Sequence, residues 1–197
     1  MATDIYEVSG LCVDVRYMVM GVLANNVYLV SDGEGTFVVD PSCDAEKILA
    51  ALGDARLGAI VLTHGHFDHT GAAAALRRAT GAPVIASALD APQIENPSGA
   101  DLASRGVPCP VDRIVAQGDI VEVGSMKWKV IDTPGHTPGS LCLFNIPQFG
   151  NHPEGLPVLI SGDTLFAGTI GRTDFEGGSM ADMRASLKKL AALPDDT

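Results

Sequence analysis

Short hydrophobic runs of β-type residues, rich in valine, recur along the first 40 positions, and this pattern predicts β-strands. The runs cover 13–20, 26–30 and 36–39, and the turn-forming sequence Ser31-Asp-Gly-Glu-Gly predicts a hairpin between the last two. Helical spacing follows at 44–52, where Asp44 is a candidate N-cap, and at 70–80, before Gly81. The first half therefore begins as a sheet and continues with interleaved helices.

Short apolar runs at 59–62 and 83–86 predict two more strands. Four prolines between 88 and 112 interrupt any long element, so we expect a loop-rich segment that could form a substrate rim. Strands are predicted again at 113–115, 120–123, 127–131, 140–144 and 157–160, followed by an amphipathic helix over 180–193. This order favours an α/β fold with two sheets and helices outside them.

Composition narrows the class of protein. The 197 residues suit a single domain over 1–197, and 46% hydrophobic against 19% charged residues predicts a sizeable core. A net charge of −11 without a basic cluster argues against nucleic acid or an anionic membrane as partner.

Three further features of the sequence predict the cellular location of the protein. The N-terminus lacks signal-peptide features, and the longest strongly apolar stretch, 17–24, is shorter than the roughly 20 residues of a spanning helix. The four cysteines have no CxxC spacing, which is typical of reduced thiols. We therefore expect a soluble cytoplasmic protein.

The densest chemical signal is the sequence Thr63-His-Gly-His-Phe-Asp-His69, placed after an apolar strand and before a helix. Three of the five histidines fall within these six positions from 64 to 69. A single histidine here would suggest a solvated turn, but the cluster favours a metal site, because imidazole and carboxylate bind Zn²⁺ or Fe²⁺. His64 and His66 can point to one position, and Asp68 and His69 to a second.

Two other predicted strands also end in a polar turn that carries a ligand type. Residues 128–131 lead to His136 in Asp-Thr-Pro-Gly-His, and 158–160 lead to Asp163 in Ser-Gly-Asp-Thr. Strand ends on one edge of a sheet can converge. His64, His66 and His136 would then hold one metal, Asp68 and His69 a second, and Asp163 could bridge the two. By this count the second metal is one ligand short.

These motifs resemble those of the metallo-β-lactamase superfamily: THGHFDH, TPGHTPGS and SGDTLF match its HxHxDH, second histidine and bridging aspartate motifs. The segment 162–175 looks like the small glyoxalase II-like hydrolases, which split acyl-glutathione thioesters. The resemblance implies a four-layer αββα sandwich with two divalent metals at the sheet edge. Zinc is expected, with iron or manganese as alternatives, on His64, His66, His136, Asp68, His69 and Asp163.

The chain departs from this family pattern at its C-terminus. Relatives continue into a further strand and a histidine that completes the second metal site, so we expect a C-terminally truncated sandwich whose second site is incomplete. We also expect no counterpart of the helical domain with which larger glyoxalase II enzymes bind glutathione. The identity of the thiol therefore stays open.

Arg172 has two interpretations. The resemblance places a basic residue near the substrate carboxylate, whereas pairing with Asp174 would make the arginine structural. His152, in a loop rich in turn residues, is expected at the surface.

The resemblance implies that a metal-bound hydroxide attacks a small-molecule thioester, with Asp68 and Asp163 as catalytic carboxylates that orient or accept the proton. A lactone or ester would suit the same hydroxide. The chain also resembles persulfide dioxygenases, in which His64, His136 and Asp163 would hold one iron. A third alternative is a metal-stabilised binding scaffold without turnover.

Overall fold

The computed structural model describes residues 4–97 and 106–197, and the strands of these residues form two main sheets. The larger sheet contains seven strands in chain order: β1 (Tyr6–Val8), β2 (Asp14–Met20), β3 (Asn25–Ser31), β4 (Thr36–Val39), β5 (Leu57–Val61), β6 (Val84–Ser87) and β7 (Arg113–Val115). The smaller sheet contains β8 (Ile120–Val123), β9 (Met126–Asp132), β10 (Leu141–Asn145) and β11 (Val158–Ile160). A separate hairpin pairs β12 (Leu165–Phe166) with β13 (Thr169–Ile170).

Five α-helices lie within the described residues: α1 (Ala45–Leu52), α2 (Phe67–Thr70), α3 (Ala73–Thr80), α4 (Ala91–Glu95) and α5 (Met180–Leu190). A 3-10 turn covers Pro147–Phe149. None of the helices in 4–97 and 106–197 combines the length and the apolar character that crossing a membrane requires.

Three hydrophobic clusters define the layers of the fold. The central cluster lies between the two sheets, where Trp128 of β9 makes an edge contact with Phe37 of β4 at 5.4 Å between ring centroids. The second joins the outer face of the larger sheet to α1, α3 and α4, and includes Ile48 and Leu76. The third joins β9 and β10 to α5 through Leu190. Helix, sheet, sheet and helix layers confirm the predicted αββα sandwich.

The structure differs from the predicted elements in a few places. Strand β1 and the hairpin of β12 and β13 were not predicted, and α5 ends at Leu190 rather than at position 193. The predicted loop over 88–112 contains α4, because a proline such as Pro92 is tolerated in the first turn of a helix. Part of the predicted substrate rim, 98–105, lies outside the described residues.

The helix predicted over 70–80 is divided between α2 and α3 by tertiary hydrogen bonds. The Ala72 N–H donates to the carbonyl oxygen of Pro41 at 2.9 Å, and the Asp68 carbonyl accepts from Asn25 Nδ2 at 3.1 Å. The i to i−4 hydrogen bond from the Ala72 N–H to the Asp68 carbonyl is therefore not formed, because both groups bond to other partners. The first helix ends there, and a new helix begins at Ala73.

Strand direction determines where the polar turns lie. Strands β4, β5 and β6 are parallel, so the residues that follow them leave the larger sheet at one edge. Strands β9 and β11 both run antiparallel to β10, so their carboxyl ends also share an edge. The Leu141 N–H donates to the Thr63 carbonyl at 2.9 Å and joins the two edges. All turns that carry candidate ligands start from these ends.

Replacing Trp128 tests the central cluster. Trp128 is fully buried and its indole N–H has no partner among the described residues. We expect Trp128→Ala to lower the free energy of unfolding by about 3 to 5 kcal/mol, because it leaves a large cavity. Trp128→Phe should cost less, because the phenyl ring leaves a smaller cavity, and neither variant loses a hydrogen bond. Urea unfolding followed by circular dichroism measures both, and equal losses would contradict this account.

Candidate metal centre

Three histidines from two separate turns meet at the edge of the sheets. His64 and His66 follow β5 and His136 follows β9, and one ring nitrogen from each lies within 4.8 Å of the others. The Nδ1 of His66 and the Nε2 of His136 are only 2.9 Å apart. Two nitrogens on one tetrahedral zinc, each about 2.0 to 2.1 Å from it, would be roughly 3.3 Å apart. The three rings therefore have the spacing of a ligand set.

The rear nitrogen of His136, meaning the ring nitrogen that faces away from the histidine cluster, is hydrogen-bonded to the backbone. Its Nδ1 lies 2.7 Å from the carbonyl oxygen of Arg172, which can only accept, so Nδ1 carries the hydrogen. In the neutral ring, Nε2 then presents a lone pair toward His66. Histidine ligands in metal sites are commonly oriented by this kind of bond.

The rear nitrogen of His64 is fixed by a hydroxyl. The hydroxyl of Thr63 donates its only hydrogen to Oδ2 of Asp40, at 2.6 Å. Because Thr63 Oγ1 then has no hydrogen left to donate, it accepts from Nδ1 of His64, at 3.0 Å. Nε2 of His64 therefore holds a lone pair, is buried, and has no hydrogen-bond partner among the described residues. Burial and the neighbouring histidines hold the pKa of His64 well below its usual value, so the ring is neutral.

A second group of side chains lies next to the three histidines. Nε2 of His69 is 3.5 Å from Oδ2 of Asp68 and 3.3 Å from Oδ1 of Asp163. The other oxygen of Asp163 lies 3.5 Å from Nε2 of His136. Asp163 thus points one oxygen to each cluster. All six side chains that the sequence suggested as ligands are brought together.

Interactions within this second group shift the pKa values of His69 and Asp163. Burial alone would lower the pKa of His69, but Asp40 and Asp163 outweigh burial and raise it to about 10. Burial raises the pKa of Asp163, yet His69 and the other histidines lower it overall. In the metal-free chain, His69 is therefore an imidazolium held between carboxylates.

Asp40 is a site residue that the sequence analysis missed. It follows β4, is 2% exposed, and adopts a positive φ of 51°, which is uncommon outside glycine. Its oxygens accept from the Thr63 N–H at 2.7 Å, from the Thr63 hydroxyl and from Nδ1 of His69 at 2.9 Å. These donors occupy three of the roughly four acceptor positions of the carboxylate. We therefore expect Asp40 to orient the candidate ligands His64 and His69, which lie close to it.

Asn25 is the second residue that the sequence analysis missed. Its Nδ2 donates to Oδ2 of Asp68 at 2.8 Å and so fixes the direction of this carboxylate. Asn25 starts β3, far from the motif in the chain. No local pattern marks it, whereas Asp40 follows an apolar strand in the same way as Asp163.

Arg172 and His152 lie outside the clusters of imidazoles and carboxylates. Arg172 forms two hydrogen bonds to Asp174, at 2.7 and 2.8 Å, and its guanidinium lies 3.8 Å from the centroid of the Phe175 ring. These hydrogen bonds to Asp174 support the structural interpretation of Arg172. A role of Arg172 in binding a substrate stays a prediction. His152 is half exposed and pairs with Asp14 at 2.8 Å, as expected for a surface histidine.

A divalent metal fits this arrangement. The buried lone pair on His64 has no partner in the described part of the chain, and leaving such an atom unsatisfied costs about 1 to 3 kcal/mol. A cation would satisfy it. The donor set of imidazoles and carboxylates suits zinc or non-haem iron.

Comparisons with known proteins agree with this geometry. The sequence model described as the metallo-beta-lactamase superfamily matches residues 20–197. A hydroxyacylglutathione hydrolase of Albidiferax ferrireducens is 41% identical over 175 residues, which cover 88% of this chain and 59% of that protein. The chain thus spans about three-fifths of the length of this relative.

Two solved structures are also similar. The BLEG-1 B3 metallo-beta-lactamase aligns with a TM-score of 0.81 and 31% identity, over 91% of this chain and 87% of that one. TTHA1623 in a di-iron-bound form aligns with a TM-score of 0.73 and 39% identity, over 89% and 85%.

Replacing His64 separates metal binding from folding. His64→Leu removes an unsatisfied buried nitrogen. We therefore expect the free energy of unfolding of the metal-free variant to lie within about 1 kcal/mol of that of the parent. Zn²⁺ should raise the melting temperature of the parent but not of the variant, because binding to the folded state stabilises it. His152→Leu, at the surface, should keep the full response. Thermal unfolding with and without Zn²⁺ checks this, and an unchanged response of His64→Leu would contradict it.

Proposed function

Because the chain belongs to the metallo-beta-lactamase superfamily, we propose that it is a metal-dependent hydrolase that cleaves a thioester, such as an acyl-glutathione. The observation that carries this proposal is the position of Asp163. One of its oxygens lies 3.3 Å from His69 and the other 3.5 Å from His136, so it lies between the two clusters. A carboxylate between two metals is typical of two-metal hydrolytic sites.

Six side chains would hold two divalent metals, with Asp163 shared between the sites. The remaining members are His64, His66 and His136 for one metal, and Asp68 and His69 for the other. When bound, such metals polarise a carbonyl and make water a nucleophile near neutral pH. Zinc is our first assignment, and the di-iron form of TTHA1623 supports iron as an alternative.

The carboxylates supply orientation and proton transfer. Asn25 holds Asp68 through a bond of 2.8 Å, and Asp163 is a quarter exposed, so a substrate can reach it. Both are placed to orient water or to accept its proton. No serine or cysteine nucleophile is required in this scheme. In agreement, burial raises the pKa of Cys109 and Cys142 to about 11, which keeps both thiols protonated.

The substrate class rests on the curated relative and on charge. Albidiferax ferrireducens carries a protein named hydroxyacylglutathione hydrolase that matches 88% of this chain, which supports a small thioester as substrate. A net charge of −11 also favours a small molecule over a nucleic acid. A lactone or another ester would suit the same site. The four cysteines are unpaired, and we propose a reducing, cytoplasmic environment for the reaction.

A second candidate function is an iron-dependent persulfide dioxygenase. His64, His136 and Asp163 would supply the two-histidine, one-carboxylate set that suits Fe²⁺ and O₂. The similarity to TTHA1623 in its di-iron form is the observation that favours iron. The position of Asp163 between both clusters favours the hydrolase.

Thioester turnover tests the leading proposal. Parent protein loaded with Zn²⁺ should hydrolyse acyl-glutathione thioesters, and His66→Ala should lose metal binding and turnover together, by about 100-fold or more, since it removes a proposed ligand. His152→Ala is the matched control, because this histidine pairs with Asp14 at the surface and should keep parental activity. Thiol release and metal content measure the two effects. Full thioesterase activity in metal-stripped protein would contradict the scheme.

Oxygen uptake separates the two candidate functions. We expect iron-loaded protein given glutathione persulfide to consume no O₂ above the metal-free control, while thioesters are cleaved. An oxygen electrode and metal analysis check this. Stoichiometric O₂ consumption with iron, together with no thioester cleavage in any metal form, would replace the hydrolase by the dioxygenase.

A further inference from the structure

Asp90 is a buried carboxylate that lies behind the histidine cluster. It follows β6, precedes α4, and is 5% exposed. Its Oδ2 accepts from the Gly65 N–H at 2.8 Å and from the Thr137 hydroxyl at 2.7 Å, and its Oδ1 accepts from the Gly139 N–H at 2.8 Å. Each of these donors belongs to a turn that carries a histidine of the proposed metal centre.

One side chain therefore connects two turns that are far apart in sequence. Gly65 lies between His64 and His66, and Thr137 directly follows His136. The two turns are also joined where the Leu141 N–H donates to the Thr63 carbonyl, but that bond lies at the strand ends. Asp90, in contrast, accepts from the Gly65 N–H, between the two histidines of the first turn. Asp90 thus bridges the two turns beside their histidines.

Close packing leaves this contact little freedom. A Cβ on Gly139 would overlap Oγ of Ser87 and the carboxylate of Asp90, so only glycine lets the backbone approach. The Asp90 N–H donates to Ser87 Oγ at 3.3 Å, and the Thr137 N–H donates to Oγ of Ser140 at 3.0 Å. Both the carboxylate and the turn that it holds are fixed by further bonds.

The chemistry of the three donors requires a carboxylate. Gly65, Gly139 and Thr137 all donate, and an ionised aspartate offers acceptors at both oxygens. An asparagine would place an NH₂ group against at least one N–H or O–H donor. The cost of this mismatch would fall on the turns that hold His66 and His136, whose facing nitrogens are 2.9 Å apart.

We propose that Asp90 is a positioning residue that fixes the spacing between the His66 and His136 imidazoles and thereby sets the metal affinity of the site. The inference rests on the proposed metal centre. Asp90 makes none of the close contacts with the clustered imidazoles that a ligand would make, and acts through the peptide at Gly65 and through Thr137. Its effect is on ligand geometry, and stability alone does not account for it.

Asp32 provides a matched control. It is 7% exposed and accepts from the N–H groups of Glu34, Gly35 and Ser125 at 2.9, 2.8 and 2.6 Å. It follows the carboxyl end of β3, whereas the metal centre lies near Asn25 at the other end, about 20 Å away along the strand. Asp32→Asn should therefore destabilise the fold without changing the site.

The experiment compares Asp90→Asn and Asp32→Asn in the full chain. Zn²⁺ affinity is measured by competition with a chelator, ligand geometry by the absorption spectrum of the Co²⁺ form, and stability by thermal unfolding of the metal-free protein. We expect Asp90→Asn to weaken Zn²⁺ binding by about 10- to 100-fold and to change the Co²⁺ spectrum. Asp32→Asn should bind both metals like the parent.

A second pair of variants keeps the test decisive if Asp90→Asn does not fold. Thr137→Val removes one donor and should weaken Zn²⁺ binding less than Asp90→Asn does, whereas Thr137→Ser retains the hydroxyl and should restore parental affinity. Parental Zn²⁺ affinity in folded Asp90→Asn would overturn the inference, as would parental affinity in Thr137→Val where Asp90→Asn does not fold, or an equal loss in Asp32→Asn. A parent protein that binds no metal would overturn the proposed centre as well, so the two failures are distinguishable.

Discussion

A buried imidazole presents a lone pair to a metal when a hydrogen bond at its other ring nitrogen fixes the hydrogen there. In this chain, the carbonyl of Arg172 holds Nδ1 of His136, Asp40 holds Nδ1 of His69, and Asp40 reaches Nδ1 of His64 through Thr63. Without these bonds, either ring nitrogen could carry the hydrogen, and an N–H group would repel a cation. The rest of the site depends on this arrangement.

This arrangement costs conformational and hydrogen-bonding free energy, which the rest of the fold offsets. Asp40 has a positive φ of 51°, a kind of backbone strain worth about 1 to 3 kcal/mol, and Nε2 of His64 is buried without a hydrogen bond in the described part of the chain. Both lie where parallel strands end. Strain and unsatisfied polar atoms of this kind persist where the surrounding structure holds them, and they concentrate at functional sites. The tightly packed core between the sheets provides that support.

The sequence identified the candidate ligands that the fold brings together better than it identified the groups that orient them. His64, His66, His69 and Asp68 share one motif, and His136 and Asp163 follow apolar strands, so local pattern was sufficient to find them. The αββα sandwich came from the family resemblance, and the strand order from the structure. Asp40 and Asp90 also follow apolar strands and could have been found by the same rule. Asn25 could not, because only the folding of β3 against α2 brings it to Asp68.

The central claim concerns which nitrogen of each buried ring carries a hydrogen, and long-range ¹H–¹⁵N correlation NMR of the metal-free chain measures this directly. The account predicts Nδ1–H with a bare Nε2 for His64 and His136, and a doubly protonated ring for His69, whose pKa is raised to about 10. Adding Zn²⁺ should shift the bare nitrogens. A hydrogen on Nε2 of neutral His64 or His136 would contradict the account, because that atom could not then face a metal.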